Sequence, residues 1–378
     1  MEETGTGEPA MSVPSQSGAG LTGPLAPCAA LLAAVPEPLL LVGDDRRIRM
    51  ANPAAAELLG PQLEGRAALL AIRQPEAVAA LEAALASPEG SRREARFVLT
   101  TPAAEITYRL VAHRLATATS AAEPGTQPSG VLISFFDVSH VEEAEQMRRD
   151  FVANVSHELR SPLTALSGFI ETLQGPARDD PEARTRFLEI MAQEARRMNG
   201  LVADLLSLSK VEANERVRPS TRVALADVIR TTLAALRPQI EESGLRLEFH
   251  DRTADSYLPG DRDQLVQVFH NLIENAIKYG GTGGEVTIDL AAHPRWQGFL
   301  SEVLTVSVQD RGEGIDPIHI PRLTERFYRV DSHRSRQMGG TGLGLAIVKH
   351  IVNRHRGRLA IDSRRGEGCC FTVILPRA

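Results

Sequence analysis

Apolar residues from Phe151 onward recur at Val155, Leu159, Leu163, Leu166, Phe169, Ile170 and Leu173. This spacing, close to 3.6 residues, predicts a helix with one buried face. His157 falls off the stripe and is turned to solvent. A second helix is predicted over Pro181–Val211, where Phe187, Met191, Met198, Leu201, Leu205 and Leu208 share a stripe with Glu194; a turn at Gln174–Asp180 precedes it. The methionines read as core. Two antiparallel helices bury too little apolar surface to stand alone, so a homodimer forming a four-helix bundle is expected. The charged run Val141–Asp150 leads into the first helix without Gly or Pro, which implies a rigid helical connector.

The flanking segments have different patterns. Residues 1–24, rich in Gly, Ser, Thr and Pro, are expected to be disordered. Over 25–138 the chain predicts a helix near Ala29–Val35, then strands PLLLVG and RIRMA around a turn at Asp44-Asp45. A short capped helix, NPAAAELLG, follows, and strands are predicted at Ala95–Thr100, Ile106–Leu115 and Val131–Asp137. After Pro219 the pattern becomes α/β, with strands near Leu245–His250, Glu285–Ala291, Val303–Gln309, Arg358–Ser363 and Cys370–Leu375. The fold class is therefore α+β and multidomain. Its segments are 1–24, a mixed helix-and-strand 25–138, a helical 139–218 and an α/β 219–378.

The candidate chemistry falls in the last two segments. HELRSPLT (His157 to Thr164) puts an imidazole and a carboxylate on an exposed helical face, where the imidazole can act as a nucleophile. A surface histidine alone is more often simply solvated, and the downstream motifs change that balance. Residues 261–281 predict an amphipathic helix with Asn271 and Asn275 one turn apart, followed by Lys278. Beyond it come DRGEGI (Asp310–Ile315), RFYRVD (Arg326–Asp331) and GGTGLGLAIVKHI (Gly339–Ile351). A glycine-rich loop opening a helix offers backbone N–H groups and a positive dipole end to phosphate oxygens. Each element alone is weak, but their order behind HELRSP is very hard to obtain by chance.

In this order the motifs resemble those of bacterial two-component sensor histidine kinases with a HisKA-type dimerisation and phosphotransfer domain. HELRSPLT matches the H box, HNLIENAIKYG the N box, DRGEGI and GGTGLGLAI the glycine boxes, and RFYRVD the F box. GEGCCFTVILP matches the closing glycine strand, and the general look is that of the phosphate-regulon sensor subgroup. The resemblance covers roughly residues 145–378, while 25–138 resembles, more loosely, a PAS sensor fold. It implies an ATP-binding α/β sandwich shared with gyrase, Hsp90 and MutL, and transfer of phosphate from ATP to His157 and then to an Asp of a response regulator.

The same resemblance assigns roles to individual residues. Asn275 would coordinate Mg²⁺, with Asn271 supporting phosphate or metal, while Lys278 and Tyr279 reach toward phosphates. Asp310 would accept from the adenine amine, and Gly312 and Gly314 would let the backbone approach the base. Arg329, in a mobile lid, would stabilise γ-phosphate charge, while Gly340, Thr341, Gly342, Leu343 and Gly344 surround the triphosphate. Glu158 would orient His157 and take its other proton. Ser161 stands where this class usually has Thr; its hydroxyl suits a water that dephosphorylates the regulator, so phosphatase activity is also expected.

Composition narrows the alternatives. A net charge of −6 argues against a nucleic-acid binder driven by bulk charge. Of 42 basic residues only Lys210, Lys278 and Lys349 are lysine, which singles out Lys278 as a compact point charge for phosphate. Cys28, Cys369 and Cys370 make no metal-binding spacing, and a reducing cytoplasm is expected. The Cys369-Cys370 pair reads as packing, and His113 and His140 as structural residues rather than haem ligands. Cys28 lies before the sensor body, which disfavours a flavin adduct. The acidic start MEETGTGEPA implies no export, and the apolar run near Ala29–Val35 is far shorter than a membrane helix needs. Such a chain either reads a cytoplasmic signal or is recruited to a membrane complex by a partner.

Two rival readings come from other classes. The shared sandwich suggests an ATP hydrolase or ATP-gated clamp, but those enzymes usually carry a water-activating Glu four residues before the Mg-binding Asn. That position here is Asn271, and Glu274 points some 100° around the helix. A non-catalytic dimeric scaffold is disfavoured by the intact His157, Asn275, Asp310 and second-box glycines.

Overall fold

The computed structural model describes residues 26–101, 104–115, 130–215, 217–280, 284–330 and 340–377. The expected disorder of 1–24, the side chain of Cys28, and the motif ends Asp331 and Gly339 lie outside the described residues. The chain divides into two compact units, Met1–Asp150 and Phe151–Ala378.

In the first unit, α1 (Ala26–Ala33), β1 (Leu39–Val42), β2 (Ile48–Ala51) and α2 (Pro53–Leu59) precede two further helices, α3 (Ala68–Ala71) and α4 (Pro75–Leu85). Strands β3 (Arg92–Thr100), β4 (Glu105–Arg114) and β5 (Val131–Asp137) complete an antiparallel sheet of order β2-β1-β5-β4-β3. Asn52 ties the start of the domain together. Its Oδ1 accepts from the backbone N–H of Ala55 and Leu39, capping α2, while its Nδ2 donates to the carbonyls of Leu32, Val35 and Glu37. Leu40, Ile48, Leu81, Leu110, Ile133 and Phe135 fill the interior, and Phe97 meets Phe135 edge-on at 5.2 Å. His113 and His140 both lie at the surface, away from that interior.

α5 (Ser139–Gln174) begins in the first unit, and its part from Phe151 belongs to the second, where α6 (Pro181–Ala213) runs back along it. Asp180 caps α6 by accepting from the N–H groups of Glu182 and Ala183, and Pro181 supplies a preset first turn. One part of the predicted apolar stripe departs from expectation. Within a single chain Leu163 is 56% and Ile170 43% exposed, while the other stripe residues are half-buried. Two helices have too few inward positions to cover the whole stripe of α5.

The rest of the second unit is a sandwich. In chain order it comprises β6 (Arg222–Ala224), α7 (Leu225–Ser243), β7 (Arg246–Asp251), β8 (Tyr257–Pro259) and α8 (Arg262–Gly280). β9 (Glu285–His293), β10 (Val303–Asp310), α9 (Gly344–Arg354), β11 (Arg358–Arg364) and β12 (Gly368–Pro376) follow. The sheet order is β11-β12-β10-β9-β7, antiparallel except for the β7–β9 pair, and β6 and β8 form a separate two-stranded ribbon. α8 is the central helix: Leu265, Val268, Phe269, Leu272, Ile273 and Ala276 are buried at helical spacing against the sheet and α7. Its opposite stripe therefore presents Asn271, Glu274, Asn275 and Lys278 away from the core.

Candidate functional site: a cavity and an exposed histidine

That polar stripe of α8 forms one wall of a cavity of about 710 Å³. The volume lies within the usual range for small-molecule sites. Asn271, Asn275, Lys278 and Tyr279 all line it. A second wall comes from the end of β10 and the loop after it, including Asp310 and Gly314, and a third from Gly340, Thr341, Gly342 and Gly344 at the mouth of α9. Gly314 has φ +66°, and a Cβ there would sit 2.0 Å from the Arg364 carbonyl oxygen, so only glycine fits. Gly342, at φ +72°, likewise crosses close to the Phe327 backbone.

Asp310 is the most constrained polar group. It is 6% exposed, and its Oδ1 accepts the Gly312 N–H at 2.9 Å. Burial pushes its carboxyl above the usual carboxylate range, opposed by the backbone donors of Gly312 and Cys369. Burial also pushes the Cys369 thiol up to about 12, so this cavity-lining cysteine is a neutral packing group at physiological pH. Lys278 Nζ lies 3.0 Å from Glu274 Oε1, and Asn271 Nδ2 donates to the Gly344 carbonyl at 3.2 Å, joining α8 to the start of α9.

His157 and Ser161 lie exposed on α5, one turn apart on one face. Pro162 is buried inside that helix and has no N–H to offer the Glu158 carbonyl. The Glu158 side chain turns toward the other elements, where its Oε2 accepts from Arg197 of α6 at 3.3 Å and from Arg329 at 3.2 Å. Arg329 is nearly buried, its side chain 8% exposed. Around it Arg326 pairs with Glu212 at 2.5 Å and lies over the Phe151 ring, while Phe151 packs on Phe327.

Several expected neighbours are thus brought together and others are not. Gly312, Leu343 and Arg329 do not line the cavity. Gly312 is required by packing, since a Cβ there would meet the Tyr279 carbonyl oxygen at 2.4 Å, and Leu343 is a fully buried core residue. Glu274, set aside on angular grounds, does line the cavity, held by its pair with Lys278. Periodicity also gave no warning of Gly200 and Asp204, which α6 adds to the cavity wall. Their i, i+4 spacing beside the buried Leu201 and Leu208 was the available signal. Among the described residues no group of three or more His, Cys, Asp or Glu could hold a metal. A lone amide oxygen from Asn275 beside room for phosphates still suits Mg²⁺, which keeps several waters and takes few protein ligands.

Comparison with known proteins follows the same division. Residues 260–378 match the family model described as histidine kinase-, DNA gyrase B- and HSP90-like ATPase. Residues 147–214 match the His Kinase A (phospho-acceptor) domain, and residues 29–90 a PAS domain. The phosphate regulon sensor protein PhoR of Pseudomonas aeruginosa is 46% identical over 239 residues, covering 62% of this chain and 52% of that protein. The sensor histidine kinase WalK of Bacillus subtilis is 37% identical over 249 residues, covering 65% of this chain and 39% of that protein. The chain thus spans about half the length or less of these two curated relatives. The solved structure of Acinetobacter baumannii histidine kinase AdeS aligns with a TM-score of 0.45 at 26% identity, over 58% of this chain and 98% of that one.

Proposed function

We propose that this chain, which belongs to the sensor histidine kinases with a HisKA phospho-acceptor domain, autophosphorylates His157 from ATP and passes the phosphoryl group to an Asp of a response regulator. The observation that carries this reading is the presence, in one unit, of the exposed His157 and a cavity lined by Asn275, Lys278, Asp310 and the second-box glycines. In domain terms, 25–138 would sense, 139–218 would dimerise and accept phosphate, and 219–378 would bind ATP.

Asp310 would accept from the adenine amine, and its buried carboxylate, held by the Gly312 N–H, is oriented for that task. Lys278 and Tyr279 would meet the phosphates, as would the backbone N–H groups at the start of α9, where the helix dipole also favours negative charge. Asn275, supported by Asn271, would hold Mg²⁺, whose role when bound is to offset the charge of the phosphate oxygens. One neutral ring nitrogen of His157 attacks the γ-phosphorus, the bond from that phosphorus to ADP breaks, and ADP leaves. Glu158 takes the proton of the other ring nitrogen. Since Glu158 is tied to Arg197 and Arg329 here, that role requires Arg329 to leave Glu158 for the γ-phosphate.

The phosphohistidine is then the donor to a receiver-domain Asp, and the exposed Ser161 hydroxyl one turn on would orient a water that hydrolyses the regulator's aspartyl phosphate, freeing the Asp and releasing inorganic phosphate. Exposed Leu163, Ile170, Leu188, Val202 and Leu206 support pairing of the hairpin with a second copy into a four-helix bundle. A hydrolase or clamp of the gyrase, Hsp90 or MutL type is not favoured, because Asn271 offers its amide to Gly344 and supplies no base. Among the described residues no helix is long and apolar enough to cross a membrane. We place the chain in the cytoplasm, with recruitment to a membrane complex as a further expectation, and a net charge of −6 gives it no electrostatic reason to bind nucleic acid.

The test is incubation with labelled ATP. Wild type should acquire acid-labile, alkali-stable label that chases to a response regulator, and His157→Gln should acquire none while still binding ATP. Label retained by His157→Gln would move the acceptor elsewhere.

A further inference from the structure

The wall that α6 contributes to the cavity is chemically unexpected for a site that is to receive a triphosphate. Asp204 reaches the cavity from α6, one turn beyond Gly200, on a helix anchored by buried Leu201, Leu208 and Val211. Its Oδ2 accepts the Thr341 hydroxyl proton at 2.7 Å. The same Thr341 Oγ1 accepts the Leu343 N–H at 3.2 Å, so this hydroxyl is already engaged as both acceptor and donor. A threonine hydroxyl has a single proton to give. While it is bonded to Asp204, Thr341 has none for a phosphate oxygen.

Charge works in the same direction. Asp204 is partly buried and carries a carboxylate into a cavity that already holds Glu274, with Lys278 and His270 as the nearby basic groups. Its carboxyl is pushed above the ordinary range first by burial, opposed by the Thr341 hydrogen bond, then by Glu274. An incoming polyphosphate adds further negative charge at close range, and in a partly desolvated site that repulsion is stronger than in water.

We infer that Asp204 is a specificity-determining residue that competes with nucleotide phosphates for the Thr341 hydroxyl, lowering affinity for the triphosphate more than for less charged adenine ligands. The inference rests on the nucleotide site of the proposed function. It gives α6, the helix beside the phospho-acceptor helix, a direct stake in whether that site is filled. When phosphate takes the Thr341 proton, the link between α6 and the glycine-rich segment is lost.

The prediction is a graded one. A merely structural Asp204 would shift the binding of every adenine ligand alike. A competitor for phosphate shifts adenosine least and ATP most. Isothermal titration of adenosine, ADP and ATP, each with Mg²⁺, is made on His157→Gln protein so that no turnover intrudes. Adding Asp204→Asn should tighten ATP on the order of tenfold, ADP less, and adenosine within twofold. Asp204→Ala should follow the same order, so the conclusion does not depend on one side chain. Thr341→Val should weaken ATP and reduce the gain from Asp204→Asn. An unchanged ATP-to-adenosine affinity ratio in both Asp204 variants would overturn the inference and leave the nucleotide site standing. Weaker ATP binding by Asp204→Asn would also overturn it, marking Asp204 as a helper of phosphate or metal. Failure of the parent protein to bind any of the three would overturn the nucleotide site and the inference together.

Discussion

Asp310→Asn should remove nucleotide recognition while leaving the fold intact. The native Oδ1 accepts the Gly312 N–H at 2.9 Å, and an asparagine amide oxygen can take that place. The second terminus changes from an acceptor to an NH₂ donor, which in the proposed site would face the donor amine of adenine. Loss of a charge-assisted hydrogen bond is worth roughly 1.5–3 kcal/mol, so ATP affinity should fall roughly 10- to 150-fold. The fold responds oppositely. Burial holds the carboxyl of Asp310 above its ordinary value, so the native state binds this proton more readily than the unfolded chain does. Stability from this group is present at low pH and is lost as pH rises through the raised value. The ionised group therefore costs the fold at neutral pH, and Asp310→Asn should melt no lower than wild type. Asp310→Ala is the contrast: it strands the buried N–H groups of Gly312 and Cys369, each at about 1–3 kcal/mol, and should melt lower. Titration calorimetry and thermal unfolding together separate the two effects. Asp310→Asn binding ATP within threefold of wild type, with an unchanged melt, would refute the base-reading role.

Three further outcomes follow from the geometry. Asn275→Asp should lose Mg-ATP-dependent labelling, because a charged ligand would replace the neutral amide oxygen proposed to hold the metal beside the phosphates; full labelling in that variant would remove the metal role. Ser161→Ala should spare autophosphorylation but slow decay of the phosphorylated regulator, and Ser161→Thr should preserve or raise it; equal decay rates for wild type and Ser161→Ala would take Ser161 out of the mechanism. His355 is buried, accepts the Asp261 N–H at 3.0 Å, and is held below the ordinary histidine value chiefly by burial. Its unfolded form binds the proton more readily, so stability is full above about pH 6.5 and falls as pH drops below it. His355→Gln should flatten that acid limb, followed by the fluorescence of the single Trp296.

Much of the architecture was legible because burial imposes periodicity. The strands from Ala95 to Asp137 and from Leu245 to Leu375 were located within a few residues, and α8 was recognised because Leu265, Phe269, Leu272 and Ile273 leave one polar stripe. α3 and α4 went unread: alanine-rich PEAVAALEAAL buries Ala77, Ala80 and Ala84 and shows little contrast between its faces. The exposed Leu163 and Ile170 were read as buried because a stripe reveals that a face is apolar but not which chain covers it. The resemblance to a known family implied one site for Asn271, Asn275, Asp310 and Thr341, and all four line one cavity. The partners of Glu158 were not, since Arg197 and Arg329 lie 39 and 171 residues away in sequence.

The contacts that close the helical hairpin and couple it to the α/β sandwich share one physical origin in α6. Arg197 reaches Glu158, Asp204 reaches Thr341, and Glu212 reaches Arg326 and His350. Those positions are seven and eight residues apart, close to two helical turns each, so a single stripe of α6 carries all three contacts. Ser207, which hydrogen-bonds Gln267 of α8 at 2.7 Å, lies between the last two. A rotation of α6 by a fraction of a turn would therefore disturb these contacts together rather than one by one. Glu158, beside the proposed phospho-acceptor, and Thr341, beside the expected phosphates, are thus tied to the same rigid element. Any displacement of α6 would therefore act on both ends of the proposed reaction in one movement.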